Sequence, residues 1–289
     1  MISIIVVNYN GGAALSNCIT NALLSNVPVE IFVVDNASSD QSIAHLQTAF
    51  AKETRLKIVK SMQNQGFAKA VNSVLPQTVG DFVLILNPDC FIKNDTLQQC
   101  RVFMAHTPRA GMCGVLVCDP DDTPQQSSRR ADPVPLRAFV QGFGLTRFLP
   151  KYAVDLSQTP LPSQPIEVEG ISGAFMFVRR EALEQIGGLD EGYFLHCEDL
   201  DWFKRVRLSH WQLWFLPHIK VIHLKGECSA SQPLKVEFYK HRGMIRYYRK
   251  FFSQQYSKVL LIFIIFGVWL RFSLLASRRL LSGFLMRKK

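Results

Sequence analysis

The 289-residue chain is 48% hydrophobic and 19% charged, which describes a globular protein with ample core and excludes a disordered or fibrous one. Its formal net charge is +10, yet residues 240–289 hold twelve of the 33 Lys and Arg and no acid, leaving 21 basic against 23 acidic groups before them. The basicity therefore belongs to the tail, and nucleic acid is not an expected partner of the body.

Seven cysteines without a C-x-x-C pair give no support to a zinc ribbon or a thioredoxin-type motif. They suit small buried hydrophobes in a reducing compartment. The opening MISIIVVNYN begins as a strand, with neither a basic n-region nor a small-residue cleavage site. No signal peptide is expected, and a cytoplasmic location is.

In chain order, apolar β-branched runs recur at 2–7, 30–35, 56–60, 82–86 and 113–118, with helical spacing at 13–24, 40–50, 67–75 and 94–104. Strands alternating with helices predict an α/β fold, a Rossmann-like and mostly parallel sheet with helices on both faces. From 119 to 165 the pattern fails, and eight of the fourteen prolines fall there, which predicts a long irregular excursion. Regular structure resumes at 173–188 as a strand and a helix that stops at its glycines. A short strand is expected at 218–225, after Pro217, and a helix at about 234–250. The division expected is 1–118 for nucleotide binding, 119–165 as an acceptor-side loop, 166–250 as the acceptor and catalytic half, and 251–289 as a separate tail.

In a doubly wound sheet, ligands bind beyond the C-terminal ends of the strands. Polar residues gather there: Asn8, Tyr9 and Asn10, then Gly11 and Gly12, after the first strand, and Asp35 and Asn36 after the second. The third is followed by NQGFAKAVN, where Gly66 lets backbone approach a ligand, and Asn64 and Asn72 bracket a helix start suited to phosphate. The fourth ends in Asn87, Pro88 and Asp89, since Pro88 cannot donate to a ladder. One such tip reads as a turn; four in succession read as a site. Neither G-x-G-x-x-G nor a P-loop occurs.

A second concentration is DEGYFLHCEDLDWFKRVR at 190–207, with five acids: Asp190, Glu191, Glu198, Asp199 and Asp201. A helix start enriched in acids explains Asp201. It explains Glu198 and Asp199 less well, because an apolar run leads straight into them. A carboxylate beside apolar groups and other acids has its pKa raised, which suits it to accept a proton. His223, at the end of an apolar strand and before Gly226, is a candidate metal ligand, although lone histidines are more often structural.

Taken together, IIVVNYNGG, VVDNASSD, NQGFAKAVN, NPD, SGAFMFVRREAL…GGLDEGYFLHCEDLDW and VIHLKGECS resemble the inverting family 2 glycosyltransferases of GT-A fold. The resemblance runs from residue 1 to about 250 and is greatest to the rhamnosyltransferase-like branch that extends polyprenyl-diphosphate-linked glycans. It implies a nucleotide-diphosphate sugar donor (dTDP-L-rhamnose, with a UDP-hexose or UDP-galactofuranose as alternatives), a lipid-linked acceptor, and Mg²⁺ or Mn²⁺ held by Asp89 and His223. Asn87 stands where the family's Asp-x-Asp motif has its first acid. Asn8, Asn10, Asp35 and Asn36 are implied to meet base and ribose, with Asn64, Gly66, Phe67 and Asn72 closing the pocket. Asp199 is implied as the general base, with Glu198 the alternative member, and Gly173 and Trp202 as shaping the acceptor side. A non-catalytic nucleotide-binding module would explain the strand tips but would need neither the acidic pair nor His223.

The tail VLLIFIIFGVWL, 259–270, is twelve apolar residues before Arg271 interrupts, short of the roughly 20 that span a bilayer. Arg271, Arg278 and Ser282 fall within about 40° on a helical wheel. A basic amphipathic helix is expected, attached peripherally to the cytoplasmic face of a membrane, with a re-entrant hairpin or a tilted span as alternatives.

Overall fold

The computed structural model describes residues 1–224 and 233–286, with side chains as far as Arg279. The residues 225–232 and 287–289, which include Gly226, Cys228 and the end of the tail, lie outside the described residues, as does the side chain of Ser282. The chain begins with β1 (Ile2–Asn8), α1 (Gly12–Leu23), β2 (Val29–Asp35), α2 (Ser42–Ala49), β3 (Leu56–Lys60) and α3 (Phe67–Val74). Then come β4 (Phe82–Leu86), the two-residue β5 (Cys90–Phe91), α4 (Thr96–His106) and β6 (Ala110–Cys118). The excursion is less irregular than its prolines suggest: it holds β7 (Arg129–Arg130), α5 (Pro135–Gly142) and two single 3₁₀ turns. Pro135 opens α5, where a missing N–H costs nothing. The chain continues through β8 (Ile166–Glu167), β9 (Gly170–Ile171), β10 (Phe175–Arg179), α6 (Arg180–Ile186), α7 (Glu198–Leu208), β11 (Gln212–His223), α8 (Pro233–Phe252) and α9 (Lys258–Met286).

The main sheet runs β3-β2-β1-β4-β10-β6-β11-β5, with β8 beside β11. β1 is parallel to β2 and β4, while β10 is antiparallel to both β4 and β6, and β11 is parallel to β6. One reversed strand thus sits inside a parallel frame, and β1, β2, β3, β4, β6 and β11 all end at the same edge. Register aligns those ends: Asn8 pairs with Asp35, and His223 with Cys90.

Both faces are covered, which is why the strands read as continuous apolar runs. Ile4 and Val6 of β1 pack with Leu15, Ile19 and Phe177 on one face. Ile5 and Val7 pack with Phe32, Val71, Met176 and Trp202 on the other.

β11 differs from expectation. It is a single strand of twelve residues that runs through Pro217, not a short one after it. Its register to β6 shifts between Leu216 and Lys220, and that irregularity accommodates the proline.

The tail also differs. Arg271 does not interrupt α9: Lys258–Arg279 is 22 residues of helix, long and apolar enough by length and composition to cross a membrane, and none of its most apolar stretch is buried. One side leans on α8, where Leu261, Ile264 and Val268 pack against Tyr247, Tyr248 and Phe252. Arg271 is exposed but reaches back to α8, its Nη1 3.1 Å from His241 Nε2, and so is not left to solvent alone. The outward side is apolar apart from Ser273 and Ser277. Val259, Ile262, Phe263, Phe266, Leu270 and Leu274 are exposed, from 43% at Leu270 to 67% at Phe263, and at 3.6 residues per turn they share an arc of about 120°.

Candidate active site

The strand-tip edge is held by side-chain amides. Asn8 is fully buried, and its Nδ2 donates to Ser38 Oγ and Ser42 Oγ, each at 2.9 Å, while its Oδ1 accepts from the Gly11 N–H at 3.2 Å. A side chain so committed ties β1 to the turn after β2, so the Asn8 amide is spent within the protein rather than open to a base. Asn10 takes a left-handed conformation and accepts from the Ser39 and Asp40 N–H groups at 2.7 and 3.2 Å. Asp35 Oδ1 accepts from the Ser38 N–H at 3.2 Å. Its other oxygen has no hydrogen bond among the described residues.

Asn36 anchors the next loop. Its Oδ1 accepts from the Gln65 N–H at 2.9 Å and its Nδ2 donates to Asn64 Oδ1 at 3.1 Å. That places Gly66 with φ +87°, where a Cβ would meet the Phe194 carbonyl at 2.6 Å, and the Phe67 N–H donates to the same carbonyl at 2.8 Å. Only glycine fits both the dihedral and the approach. Asn72 departs from expectation, because it lies in the last turn of α3 rather than at its start. It clasps the loop before α7, with Nδ2 2.8 Å from Leu189 O and Oδ1 3.0 Å from Leu189 N.

At the ends of β4 and β11, Asp89 Oδ1 lies 3.1 Å from His223 Nε2, and Asn87 Nδ2 lies 3.3 Å from the same nitrogen. Asp89 is 4% exposed, so its tip faces the site and not open solvent. Gln125 orients the ring. Its amide nitrogen donates to Asp119 Oδ1 at 2.7 Å and to the His223 carbonyl at 2.6 Å, which turns its Oε1 toward His223 Nδ1 at 2.9 Å. Gln125 thus takes up Nδ1 and leaves Nε2 directed at the Asp89 carboxylate. A cation could be held between Nε2 and Asp89, since 3.1 Å is close to the separation of two adjacent octahedral ligands at about 2.1 Å. The pair suits a cation that keeps other positions for water or phosphate; among the described residues no cluster of three His, Cys, Asp or Glu forms a closed metal cage.

Across the site, α7 presents the acidic pair. His196 and Cys197 both have positive φ, 66° and 70°, so two left-handed non-glycine residues in succession turn the chain into the helix. Such conformations cost free energy that surrounding packing must supply. Asp199 Oδ2 lies 2.5 Å from Arg130 Nη2, and a Cβ on Gly173 would stand 3.0 Å from the same oxygen. Glu198 is buried, and its Oε2 has no hydrogen-bond partner among the described residues.

The two carboxyls diverge. Burial pushes Glu198 up to about 8, and the neighbouring Asp199 charge adds to it. Burial opposes ionisation of Asp199 as well, but the Arg130 guanidinium overrides it and holds that carboxyl below its ordinary value. The raised pKa expected of the pair therefore resides in Glu198 alone. The two environments thus favour the proton on Glu198 and the charge on Asp199.

Trp202 is not on the acceptor side. It is fully buried in the core with Nε1 donating to the Gly187 carbonyl at 3.0 Å, whereas Gly173 does lie against Asp199. The sequence reading passed over Arg130, Gln125 and Asp132. Asp132, buried, receives Lys204 at 2.6 Å, Arg207 at 2.8 Å and the Tyr247 hydroxyl at 2.6 Å, and so pins the excursion to α7 and α8. The adjacent arginines of SSRRADP, amid uncharged polar residues and prolines, were the available signal.

Comparison with known proteins agrees with this arrangement. Residues 3–187 match the domain described as Glycosyl transferase family 2. The chain is 27% identical over 247 residues, 81% of its length and 79% of the relative's, to an N-acetylglucosaminyl-diphospho-decaprenol L-rhamnosyltransferase of Mycobacterium tuberculosis. It is 29% identical over 147 residues, about half of each chain, to the rhamnosyltransferase WbbL of Escherichia coli K12. Among solved structures, the mannosyltransferase PcManGT from Pyrobaculum calidifontis, in complex with GDP-Man and Mn²⁺, superposes with TM-score 0.60 at 16% identity, covering all of this chain and 80% of that one. Staphylococcus aureus TarS 1-349 with UDP-GlcNAc gives TM-score 0.54 at 17% identity over 93% of this chain and 72% of that one.

Proposed function

Since the chain belongs to glycosyl transferase family 2, we propose that it moves a sugar, with inversion, from a nucleoside diphosphate donor to a hydroxyl of a lipid-linked glycan during cell-surface polysaccharide synthesis. The rhamnosyltransferase relatives support dTDP-L-rhamnose as the donor and a polyprenyl-diphosphate-linked acceptor. The observation that carries the reaction type is the placement of Asp199, paired with Arg130, against Gly173, whose neighbour Ala174 accepts from the Asn87 N–H at 3.0 Å, two positions before Asp89.

The donor's diphosphate lies at the tips of β4 and β11. A divalent cation, Mg²⁺ or Mn²⁺, bound there would supply positive charge against the leaving diphosphate. Asp35 offers its open oxygen to the nucleoside, and the Asn36 and Gly66 loop bounds it. Asp199 takes the proton of the acceptor hydroxyl as that oxygen bonds to the anomeric carbon from the far face. The bond from that carbon to the diphosphate breaks, and its electron pair leaves with the nucleoside diphosphate. Glu198, neutral beside it, adds no second negative charge against the incoming oxygen. A peripheral position on the cytoplasmic face of a membrane, through the outward apolar side of α9, places the site beside such an acceptor.

The test is Asp199→Asn. It is expected to lower turnover by about 10²–10⁴-fold, the scale of losing a general base, with donor affinity little changed. Full activity in that variant would remove Asp199 from the role, and loss only in Glu198→Gln would transfer it.

A further inference from the structure

A cleft of about 920 Å³ opens between the loop before α7 and the α8–α9 pair, and the mechanism above does not use it. Its floor is a basic ladder: Arg242, Arg246, Arg249 and Lys250 at i, i+4, i+7 and i+8 fall on one face of α8. Its wall includes two aromatic rings, Phe238 of α8 and Trp269 of α9, with centroids 5.9 Å apart.

Two acids answer part of this charge. Asp190 takes Arg246 through contacts of 2.7, 3.0 and 3.3 Å and Lys250 at 2.7 Å, and the Lys250 ammonium also reaches Asp201 at 2.6 Å. Arg242 and Arg249 make no hydrogen bond or ion pair among the described residues, and both are exposed. A basic helix face is most often simply solvated. Here it is concave, walled by aromatic rings, and set against a helix whose outer side is apolar over six residues. A concave surface of one sign gathers counter-ions, and free guanidinium forks match phosphate oxygens in pairs.

The cleft is also close to the chemistry. Arg242 and Arg246 flank Gly243, where a Cβ would stand 3.0 Å from the His196 carbonyl, and that residue precedes Glu198 and Asp199 by two and three positions. All four bases lie beyond residues 3–187, the part matched to the family domain.

Resting on the lipid-linked reading above, we propose that this cleft binds the diphosphate of the acceptor lipid. Arg242 and Arg249 grip the phosphates, Phe238 and Trp269 receive the first apolar units of the chain, and the remainder follows the outward side of α9 into the membrane. The donor's diphosphate is held elsewhere, at the strand tips, so the protein carries two diphosphate sites of different construction.

Farnesyl diphosphate serves as the probe, titrated by calorimetry into full-length protein in neutral detergent with the strand-tip site saturated by dTDP or UDP. The wild-type chain is expected to bind it at least tenfold more tightly than inorganic pyrophosphate or farnesol. Arg242→Ala/Arg249→Ala is expected to lose at least tenfold of that affinity while nucleotide affinity stays unchanged, since both residues are exposed and neither is paired among the described residues. Equal affinity in the double variant overturns the proposal, as does displacement of the probe by added nucleotide. A variant that keeps its probe affinity but floats less with phosphatidylglycerol vesicles than wild type also overturns it, showing the ladder to serve bulk anionic lipid. Failure of the underlying reading looks different: a wild-type chain that glycosylates only acceptors without a lipid diphosphate removes the acceptor assignment, whatever the double variant does.

Discussion

The Arg130 guanidinium lies 2.5 Å from Asp199 Oδ2 and also donates to the Ile171 carbonyl at 2.5 and 2.8 Å, so β7 delivers a cation to the acid at the head of α7. A segment that reads as a structureless excursion thus sets the charge of the proposed base. The ion pair is mostly shielded from solvent, with the two side chains 14% and 15% exposed, and screening by salt is correspondingly small.

Arg130→Ala should therefore act through Asp199. With its cation gone, the Asp199 pKa is expected to rise, because burial then acts on the carboxyl without the opposing guanidinium charge. The acid limb of kcat/KM against pH should move up with it, and the maximum should fall. An unshifted acid limb would detach Arg130 from the base.

Glu198 makes stability depend on pH in a defined window. Its folded pKa, about 8, lies above the ordinary value of 4.5, so the folded chain holds a proton that the unfolded chain has released between those limits. Stability from this group is fully present below about pH 4.5 and is lost as pH rises toward 8, by an amount on the order of a few kcal/mol. Glu198→Gln should cancel that loss. In urea melts from pH 5 to pH 9, the variant is expected to gain on wild type steadily as pH rises, and parallel curves would contradict the burial argument.

Asp89→Ala and His223→Ala should each weaken Mn²⁺-dependent binding of nucleoside diphosphate by tenfold or more in calorimetry, Asp89→Ala the more strongly because it removes the charge. Nucleotide binding without the cation should change little. Affinity that is insensitive to Mn²⁺ in the wild-type chain would show that the pair holds no ion.

Attachment to a membrane through α9 should depend on its outward apolar residues. Phe263→Glu/Phe266→Glu alters two side chains that are 67% and 64% exposed, so the fold is expected to survive. Flotation with mixed phosphatidylcholine and phosphatidylglycerol vesicles should then be lost. Wild-type protein is expected to leave the vesicles in alkaline carbonate, because α9 lies against α8 and does not stand free; retention would mean that it spans.

The sequence made much of this legible. The apolar runs of β1, β2 and β4 reached the structure with their boundaries nearly intact, because strands covered on both faces have no alternation to obscure. The strand tips were found because Asn, Asp and Gly stand out after such runs. What was not legible depended on partners distant in sequence. A strand buried on both faces reads the same in either direction, so the reversal of β10 left no mark. Asn8 and Asn72 look like ligand contacts until their amides are seen to be spent on Ser38, Ser42 and Leu189. Trp202 looked like a wall of the acceptor site and is core. The direction of Asp199's pKa could not be read without Arg130, which lies 69 residues away.

The packing of α9 on α8 also bears on how the protein can be handled. Tyr247 and Tyr248, each 1% exposed, are roofed by Leu261, Ile264 and Val268 as well as by Val134 and Ala138. A chain cut after Lys250 would lose Phe252 and the α9 part of that roof, uncovering an aromatic pair on the helix that carries the basic ladder. Shortening the protein to rid it of a greasy tail would exchange one sticky surface for another. Keeping α9 and replacing its outward residues is the sounder route to a chain that stays dispersed in water.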